Sequence, residues 1–198
     1  PARIVEAQSK IVEASILLLQ LESPLDTVTQ AAEIARANQT TVILNPAPAQ
    51  PVPADLLKLV DVLVPNESET ALLTGLPVET DADIKHAAAK LKEQGVGTVI
   101  LTLGERGAYL IDDTGAQLHP TFSVTPVDTT AAGDSFLGGL AVALGEGKSL
   151  PEAVRWGNAA GALATTKMGA QPSAPTRAEL EQLFCLLYTS PSPRDTAI

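Results

Sequence analysis

Strand-like and helix-like segments alternate along this chain of 198 residues, and this alternation constrains the fold more than any other feature. Short apolar runs at 15–21, 41–44, 62–64 and 98–103 predict strands, and segments with helical spacing separate them. Strands joined through helices pair in parallel, and the connecting helices cover the two faces of the sheet. The pattern therefore predicts an α/β fold with a mostly parallel open sheet and helices on both faces.

Cap and turn signals subdivide the remaining sequence. Ser23, Asp81 and Ser149 stand where helix N-caps are expected, and both serines are followed by an acid three residues later. A small hairpin is predicted around 113–115, where Asp-Thr-Gly separates two short apolar runs. A β-like run at 122–127 then leads into a helix that is predicted to open at Asp134.

Composition limits the function classes. The net charge of −10 and the pI near 4.6 argue against a nucleic-acid backbone or an anionic membrane as partner. No apolar run approaches the ~20 residues needed to span a bilayer. A single cysteine cannot form an internal disulfide, which favours a reducing cytoplasm. With 45% hydrophobic residues, the chain is expected to build one core.

The small residues Ala131, Ala132 and Gly133 lead directly into the predicted helix at Asp134. The first N–H groups of a helix lack intrahelical partners, and the helix dipole makes that end electropositive. Small side chains would let an anion approach these N–H groups closely. Asp134 would then place a carboxylate beside an anion site, as a base next to a transferred phosphoryl group requires. The alternative is an aspartate that only caps the helix.

Polar residues collect where the predicted parallel strands end, which is where ligands bind in open α/β sheets. Glu22, Asn45 and Asn66 follow three of these strands. His86 falls on a predicted helix and His119 in the hairpin, so neither a zinc site nor a histidine base is expected. The predicted site is therefore made of acids, amides and glycine turns.

Asn66 and Glu69 allow two interpretations. Asn-x-x-Glu before an apolar run is a capping-box pattern. The same two side chains would also suit Mg²⁺, which prefers oxygen ligands and keeps several of its waters. A glycine-containing turn at 102–107 is uninformative alone, but beside a phosphate site its glycines would leave room for a nucleotide.

Together these segments resemble a known family. The stretch 128–136, DTTAAGDSF, resembles the C-terminal signature of the ribokinase (phosphofructokinase-B type) carbohydrate kinases. NESE at 66–69 and TLGERG at 102–107 match two further family motifs in the same order. Additional similarity, across about 3–184, places the chain nearer to the ribose-phosphorylating branch of the family than to its fructokinases or adenosine kinases. The segments that carry it are QLESP at 20–24, NPAPA at 45–49 and KMGAQPS at 167–173.

The resemblance implies ATP-dependent phosphorylation of D-ribose to D-ribose 5-phosphate. Asp134 would be the base for the sugar's 5-hydroxyl, the backbone amides of Ala131, Ala132 and Gly133 the anion hole, and Glu22 a further sugar contact. The implied ATP-binding residues are Asn66, Glu69, Thr102, Leu103, Gly104, Glu105, Arg106, Gly107 and Asn158, with Asn66 and Glu69 also reaching Mg²⁺ through water. A monovalent cation, K⁺, is implied at Asp128, Thr130, Ala164, Lys167, Gly169 and Ser173.

The chain departs from the family pattern in three places. Ala131 stands where many members have glycine, which still leaves the amide accessible. The family's N-terminal sugar-binding motifs and β lid are absent, so residues 1–184 are interpreted as the C-terminal, ATP-side portion, expected to be inactive alone. The stretch 185–198 matches nothing in the family and is predicted to be a disordered or foreign tail.

Three alternatives remain open at this stage. Another sugar or nucleoside kinase of the family, such as a fructokinase, would share these motifs. A nucleotide-binding module without catalysis would suit the truncated chain. A Rossmann-type dehydrogenase is disfavoured, because no Gly-x-Gly-x-x-Gly follows an early strand. The resemblance also implies a cytoplasmic homodimer as the complete enzyme.

Overall fold

The computed structural model describes residues 2–188, with side chains described for residues 4–185. Helices and strands alternate as expected from the periodicity. In chain order they are α1 (Ala2–Glu13), β1 (Ile16–Leu19), α2 (Leu25–Ala37), β2 (Thr41–Leu44), α3 (Ala54–Leu57), β3 (Val62–Leu63), α4 (Glu67–Thr74), α5 (Asp81–Glu93), β4 (Thr98–Thr102), β5 (Ala108–Asp112), β6 (Gly115–His119), α6 (Ala132–Gly145), α7 (Leu150–Thr165) and α8 (Arg177–Tyr188). Short 3₁₀ turns lie at Gly104–Arg106 and Gln171–Ser173.

The six strands form one sheet in the order β1-β2-β3-β4-β5-β6. The first four pair in parallel, and the β5–β6 hairpin adds two antiparallel strands at the far edge. This confirms the predicted mostly parallel sheet. Within the described residues β1 is an edge strand, and its Leu18 is 39% exposed.

Helices cover both faces of the sheet. Successive strand residues point to opposite faces, so each face carries apolar side chains that helices bury. Val42 and Val99 point into a core completed by α2, α3 and α5. Ile43 and Ile100 point the other way, into a core completed by α6 and α7. Among residues 2–188, none of the helices has the length and apolar character needed to cross a bilayer.

Several predicted element ends are wrong. Ser23 does not cap α2, whose N-cap is Pro24 without a side-chain hydrogen bond. The helix α5 is capped by Thr80, which forms a capping box with Asp83, and Asp81 is its first residue. In both cases the chain begins its helical turn one residue away from the position that local pattern favours.

The predicted strand at 122–127 is irregular. Pro126 has no N–H to donate to a neighbouring strand, and the Phe122 ring instead packs edge-on against Phe184 at 5.5 Å. The segment is anchored by the Val127 N–H, which donates to the Thr165 carbonyl oxygen at 2.6 Å.

The predicted disordered tail is wrong for residues 185–188, which form the last turn of α8. No helix-breaking Pro or Gly occurs before Pro191, and Phe184 fixes the helix by packing on Trp156 with ring centroids 5.1 Å apart. The rest of that predicted tail, residues 189–198, lies outside the described residues.

Candidate functional site

Polar residues that follow two strands meet a residue of one helix at the carboxyl edge of the parallel strands. Gln20 and Glu22 follow β1, Asn45 follows β2, and Asp134 lies in the first turn of α6. Gln20, Glu22 and Asp134 line an open cleft of about 480 Å³ beside β1. The structure therefore brings together the predicted base and the predicted sugar contact.

Asp134 does not act as the helix cap. The helix begins at Ala132, two residues earlier than predicted, and Ala131 occupies the N-cap position without a side-chain hydrogen bond. The exposed Asp134 carboxylate instead accepts a hydrogen bond through Oδ1 from Gln20 Nε2 at 3.1 Å. Its position in the first turn leaves it facing the cleft, so the capping interpretation is not realised.

The start of α6 has the features of an anion site. Gly133 is exposed, and a side chain at its position would meet no atom within 4 Å. The Ala132 N–H donates to the Thr129 carbonyl oxygen at 3.2 Å, a long hydrogen bond at the limit of the usual range. Because no side chain caps this end, its partial positive charge is available to an anion. The anion-hole roles of Ala131, Ala132 and Gly133 remain predictions.

Asn66 and Glu69 form the capping box of α4. Asn66 Oδ1 accepts from the Glu69 N–H at 2.9 Å, and Glu69 Oε2 accepts from the Asn66 N–H at 2.9 Å. A third bond joins Asn66 Nδ2 to Glu69 Oε1 at 3.0 Å. Burial raises the pKa of Glu69, and the Asn66 N–H opposes that shift. The structural interpretation is realised, and a role toward Mg²⁺ remains a prediction.

The 102–107 turn lies next to this capping box. Thr102 forms a parallel bridge with Asn66, and Arg106 pairs with Glu67 at 2.8 Å. Gly107 has φ +96°, and a Cβ there would lie 2.1 Å from the His119 carbonyl oxygen. A side chain at 107 would therefore displace the hairpin. The nucleotide-binding roles of Thr102, Leu103, Gly104, Glu105, Arg106 and Gly107 remain predictions.

Asn158 is almost fully buried in α7, at 4% exposure. Its Nδ2 donates to the carbonyl oxygens of His119 at 2.8 Å and Pro120 at 3.3 Å. The side-chain amide thus ties the end of β6 to α7. Its predicted part in ATP binding stays a prediction, and the structure gives it at least this supporting role.

The residues of the implied cation site come from the loop before α6, from the end of α7 and from the segment that follows α7. Asp128 Oδ2 accepts from the Gly169 N–H at 2.9 Å, and the Asp128 N–H donates to the Thr165 carbonyl oxygen at 3.0 Å. Lys167 directs its side chain away to Glu179, at 2.6 Å. Ser173 is buried at 1% exposure. Residues 4–185 contain no cluster of three acidic, histidine or cysteine side chains suited to a metal. The cation-binding roles of these residues remain predictions.

Sequence reasoning placed Asn45 at the ligand-binding edge without assigning it a contact, and it did not single out Gln20. Asn45 Nδ2 donates to the Val64 carbonyl oxygen at 2.8 Å, and its Oδ1 lies 3.5 Å from Gln20 Nε2. These amides connect the base to the sheet. The sequence feature that points to both residues is their position directly after β1 and β2, at the edge where ligands bind.

Comparison with known proteins places this site in a family. The model of the pfkB family carbohydrate kinases matches residues 3–177. The chain belongs to this family. It is 44% identical over 174 residues to a ribokinase of Haemophilus influenzae, covering 88% of the chain and 57% of that protein. It is 33% identical to a deoxyribokinase of Salmonella typhimurium over 187 residues, covering 94% of the chain and 61% of that protein.

A solved structure supports the same assignment. Arabidopsis thaliana ribokinase, complexed with ribose and ATP, superposes with a TM-score of 0.87 at 36% identity, covering 90% of this chain and 58% of that one. The ribokinase-like fold predicted from the sequence is thereby confirmed. The chain spans about 57–61% of the length of the curated relatives described above.

Proposed function

We propose that this chain is the C-terminal portion of an ATP-dependent kinase that phosphorylates D-ribose to D-ribose 5-phosphate. The complete protein is called the full-length kinase below. The observation that carries the proposal is Asp134: an exposed carboxylate in the first turn of a helix that no side chain caps, facing an open cleft. The similarity to ribokinases and the Arabidopsis complex support ribose and ATP as its substrates.

In the proposed reaction, Asp134 accepts the proton of the ribose 5-hydroxyl as that oxygen attacks the γ-phosphorus of ATP. The bond from the γ-phosphorus to the bridging oxygen breaks, and ADP leaves. The N–H groups at the start of α6 stabilise the negative charge on the transferred phosphoryl oxygens. Positioning and charge stabilisation account for most of the catalysis in phosphoryl transfer, so few protein groups are required.

The oxygen-rich groups of this chain suit the proposed cations. Mg²⁺, when bound with ATP, would neutralise phosphate charge, and Asn66 and Glu69 are proposed to reach its waters. The charged Asp128 and the neighbouring backbone oxygens suit K⁺, with Thr130, Ala164, Lys167, Gly169 and Ser173 as the other proposed positions. In this proposal, Glu22 contacts the sugar from the end of β1.

A sugar panel tests the proposal. The full-length kinase is assayed for sugar-dependent ADP formation with D-ribose, 2-deoxy-D-ribose, D-fructose and adenosine, and ³¹P NMR identifies the phosphorylated position. Ribose is expected to give the highest kcat/KM, with phosphate on O5. A preference for deoxyribose, the substrate class suggested by the deoxyribokinase relative, or for fructose would reassign the substrate. ADP formation that no sugar accelerates would contradict a sugar kinase.

We also propose that the 198-residue chain alone binds nucleotide without phosphorylating ribose. β1 lies at the sheet edge and the cleft beside it is open, so in this proposal the described residues enclose a sugar only in part. Isothermal titration of the 198-residue chain with ATP, beside the coupled assay with ribose, tests this. Ribose-dependent turnover by the chain would show that its sugar site is complete.

A cytoplasmic location and a homodimer complete the proposal for the full-length kinase. The cysteine content supports the location, and the family resemblance supports the homodimer. Cell fractionation and light scattering of the purified protein test them, and a monomer or a membrane-associated protein would contradict the respective part.

A further inference from the structure

We propose that Gln20 is a positioning residue that holds the Asp134 carboxylate with its Oδ2 turned toward the sugar hydroxyl. This inference rests on the proposed function, because it assigns a task to Asp134 as the base. Gln20 follows β1 and Asp134 lies in α6, 114 positions further along the chain. The 3.1 Å hydrogen bond from Gln20 Nε2 to Asp134 Oδ1 spans these two elements.

A chain of amides sets the direction of that bond. The Val64 carbonyl oxygen can only accept, so Asn45 must present Nδ2 to it, at 2.8 Å. Asn45 therefore turns Oδ1 toward Gln20, and only the Nε2 group of Gln20 can donate to it, at 3.5 Å. The same Nε2 group carries a second hydrogen for the Asp134 carboxylate. The backbone directly after β3 thus fixes which end of Gln20 faces the base.

The bond distinguishes the two oxygens of Asp134. Oδ1 is engaged by Gln20, whereas Oδ2 accepts no hydrogen bond from any residue that the structure describes. Asp134 is exposed and borders the cleft together with Gln20 and Glu22. Oδ2 is therefore the oxygen available to a hydroxyl in that cleft.

A neutral amide suits this position. Gln20 cannot take up the proton that Asp134 receives, and it does not form an ion pair with the carboxylate. A hydrogen bond that restricts the carboxylate's rotation reduces the reorganisation required before proton transfer. Gln20 would therefore act on kcat through the orientation of Asp134, without touching the transferred phosphoryl group.

Matched glutamine variants test this in the full-length kinase. Gln20→Met keeps the length of the side chain and removes its donor, and we expect kcat for ribose to fall about tenfold. KM for ATP and the melting temperature should change little. Gln50→Met is the control, because Gln50 donates to the neighbouring Leu21 carbonyl oxygen at 3.0 Å and has no bond to Asp134. Its kcat should stay within about twofold of the wild type.

An NMR measurement tests the contact independently of turnover. The side-chain amide signals of Gln20 are assigned in the full-length kinase and compared in Asp134→Asn. We expect the Gln20 signal to move and the Gln50 signal to stay. A stationary Gln20 signal overturns the inference, even in a protein that phosphorylates no sugar.

The kinetic outcomes separate the inference from the proposed function. A wild type without sugar kinase activity contradicts the proposed function, and the NMR result then decides the contact alone. An active wild type with an unchanged Gln20→Met variant overturns the positioning role. A rise in KM for ribose at constant kcat would also overturn it, because Gln20 would then be a sugar contact. An equal loss of kcat in Gln50→Met would overturn it as well.

Discussion

The Asp128 carboxylate joins two loops of the site, because its Oδ2 accepts a hydrogen bond from the Gly169 N–H at 2.9 Å. Its Oδ1 accepts from the Thr130 hydroxyl at 2.6 Å and the Thr130 N–H at 3.0 Å. The Thr130 hydroxyl, followed by the Gly169 N–H, lowers the pKa of Asp128. A fixed negative charge therefore lies where the two loops meet.

This arrangement predicts activation by potassium. In the full-length kinase, we expect a several-fold higher rate in K⁺ than in Na⁺ or Cs⁺ at constant ionic strength. Asp128→Ala should remove that preference, because it deletes the charge and releases the Gly169 loop. The rates are measured with ribose and ATP at saturation.

Asp113→Ala is the matched control for this prediction. Asp113 is exposed and pairs with Lys92 at 2.7 Å, away from these loops, so its removal should leave the preference for K⁺ intact. Equal wild-type rates in the three salts would remove the cation site from the proposed function.

The sheet and its helices were predictable from local sequence pattern, whereas contacts between residues far apart in the sequence were not. Hydrophobic periodicity predicted β2 at 41–44 without error, because the strand is buried and bounded by polar residues. The Asn66–Glu69 capping box was predictable for the same reason: both partners lie within one helical turn. The bond between Gln20 and Asp134 joins residues 114 positions apart, and no local pattern encodes it.

The wrong predictions also have a physical origin. The run at 122–127 has strand-like composition, but Phe122 packs onto Phe184 of α8 and Pro126 cannot complete a strand ladder. Residues 185–188 look irregular by composition, yet they continue a helix that aromatic contacts already fix to α7. Tertiary packing therefore determines the backbone conformation of both segments.

Asp134→Asn should lower kcat of the full-length kinase by about 10²–10⁴-fold, the usual contribution of a general base. ATP affinity, measured by isothermal titration, should change little. Asp26→Asn is a matched control, because Asp26 is also an acid in the first turn of a helix, α2. A variant that keeps more than about a tenth of the wild-type kcat would make Asp134 a structural residue only.

His119 should make stability depend on pH. It is buried at 6% exposure, and Nε2 has no hydrogen-bond partner among the described residues. Burial lowers the pKa of His119, and the charge of Arg155 lowers it further. The unfolded chain, with a histidine pKa near 6.5, therefore binds the proton more readily. The free energy of unfolding should fall as the pH drops below about 6.5 toward the folded-state pKa.

Urea unfolding of the full-length kinase at pH 7.5, 6.5 and 5.5 measures this dependence. His119→Val should reduce the fall in the free energy of unfolding between pH 7.5 and pH 5.5, whatever its effect on the absolute stability. His86→Gln, at an exposed position of α5, should leave the decline unchanged. An identical decline in His119→Val and the wild type would exclude His119 as its source.

Gly139 and Gly138 are neighbours on α6 with opposite surroundings, and this predicts opposite effects of alanine. A Cβ at Gly139 would lie 2.8 Å from both the Ala160 Cβ and the Trp156 carbonyl oxygen of α7, whereas one at Gly138 would meet nothing within 4 Å. Gly139→Ala should therefore lower the free energy of unfolding by about 1–3 kcal/mol through overpacking. Gly138→Ala should raise it by about 0.5–1 kcal/mol, because alanine favours the helix.

Urea unfolding of both variants in the full-length kinase distinguishes these effects, and kinetics adds a functional readout. Because α6 carries Asp134, separating α6 from α7 should also displace the carboxylate, so Gly139→Ala is expected to lower kcat as well as stability. Gly138→Ala leaves the contact between the helices unchanged and should keep the wild-type kcat. Equal stabilities of the two variants would mean that α6 and α7 do not approach this closely in solution, and would remove the support that α7 gives to the position of the base.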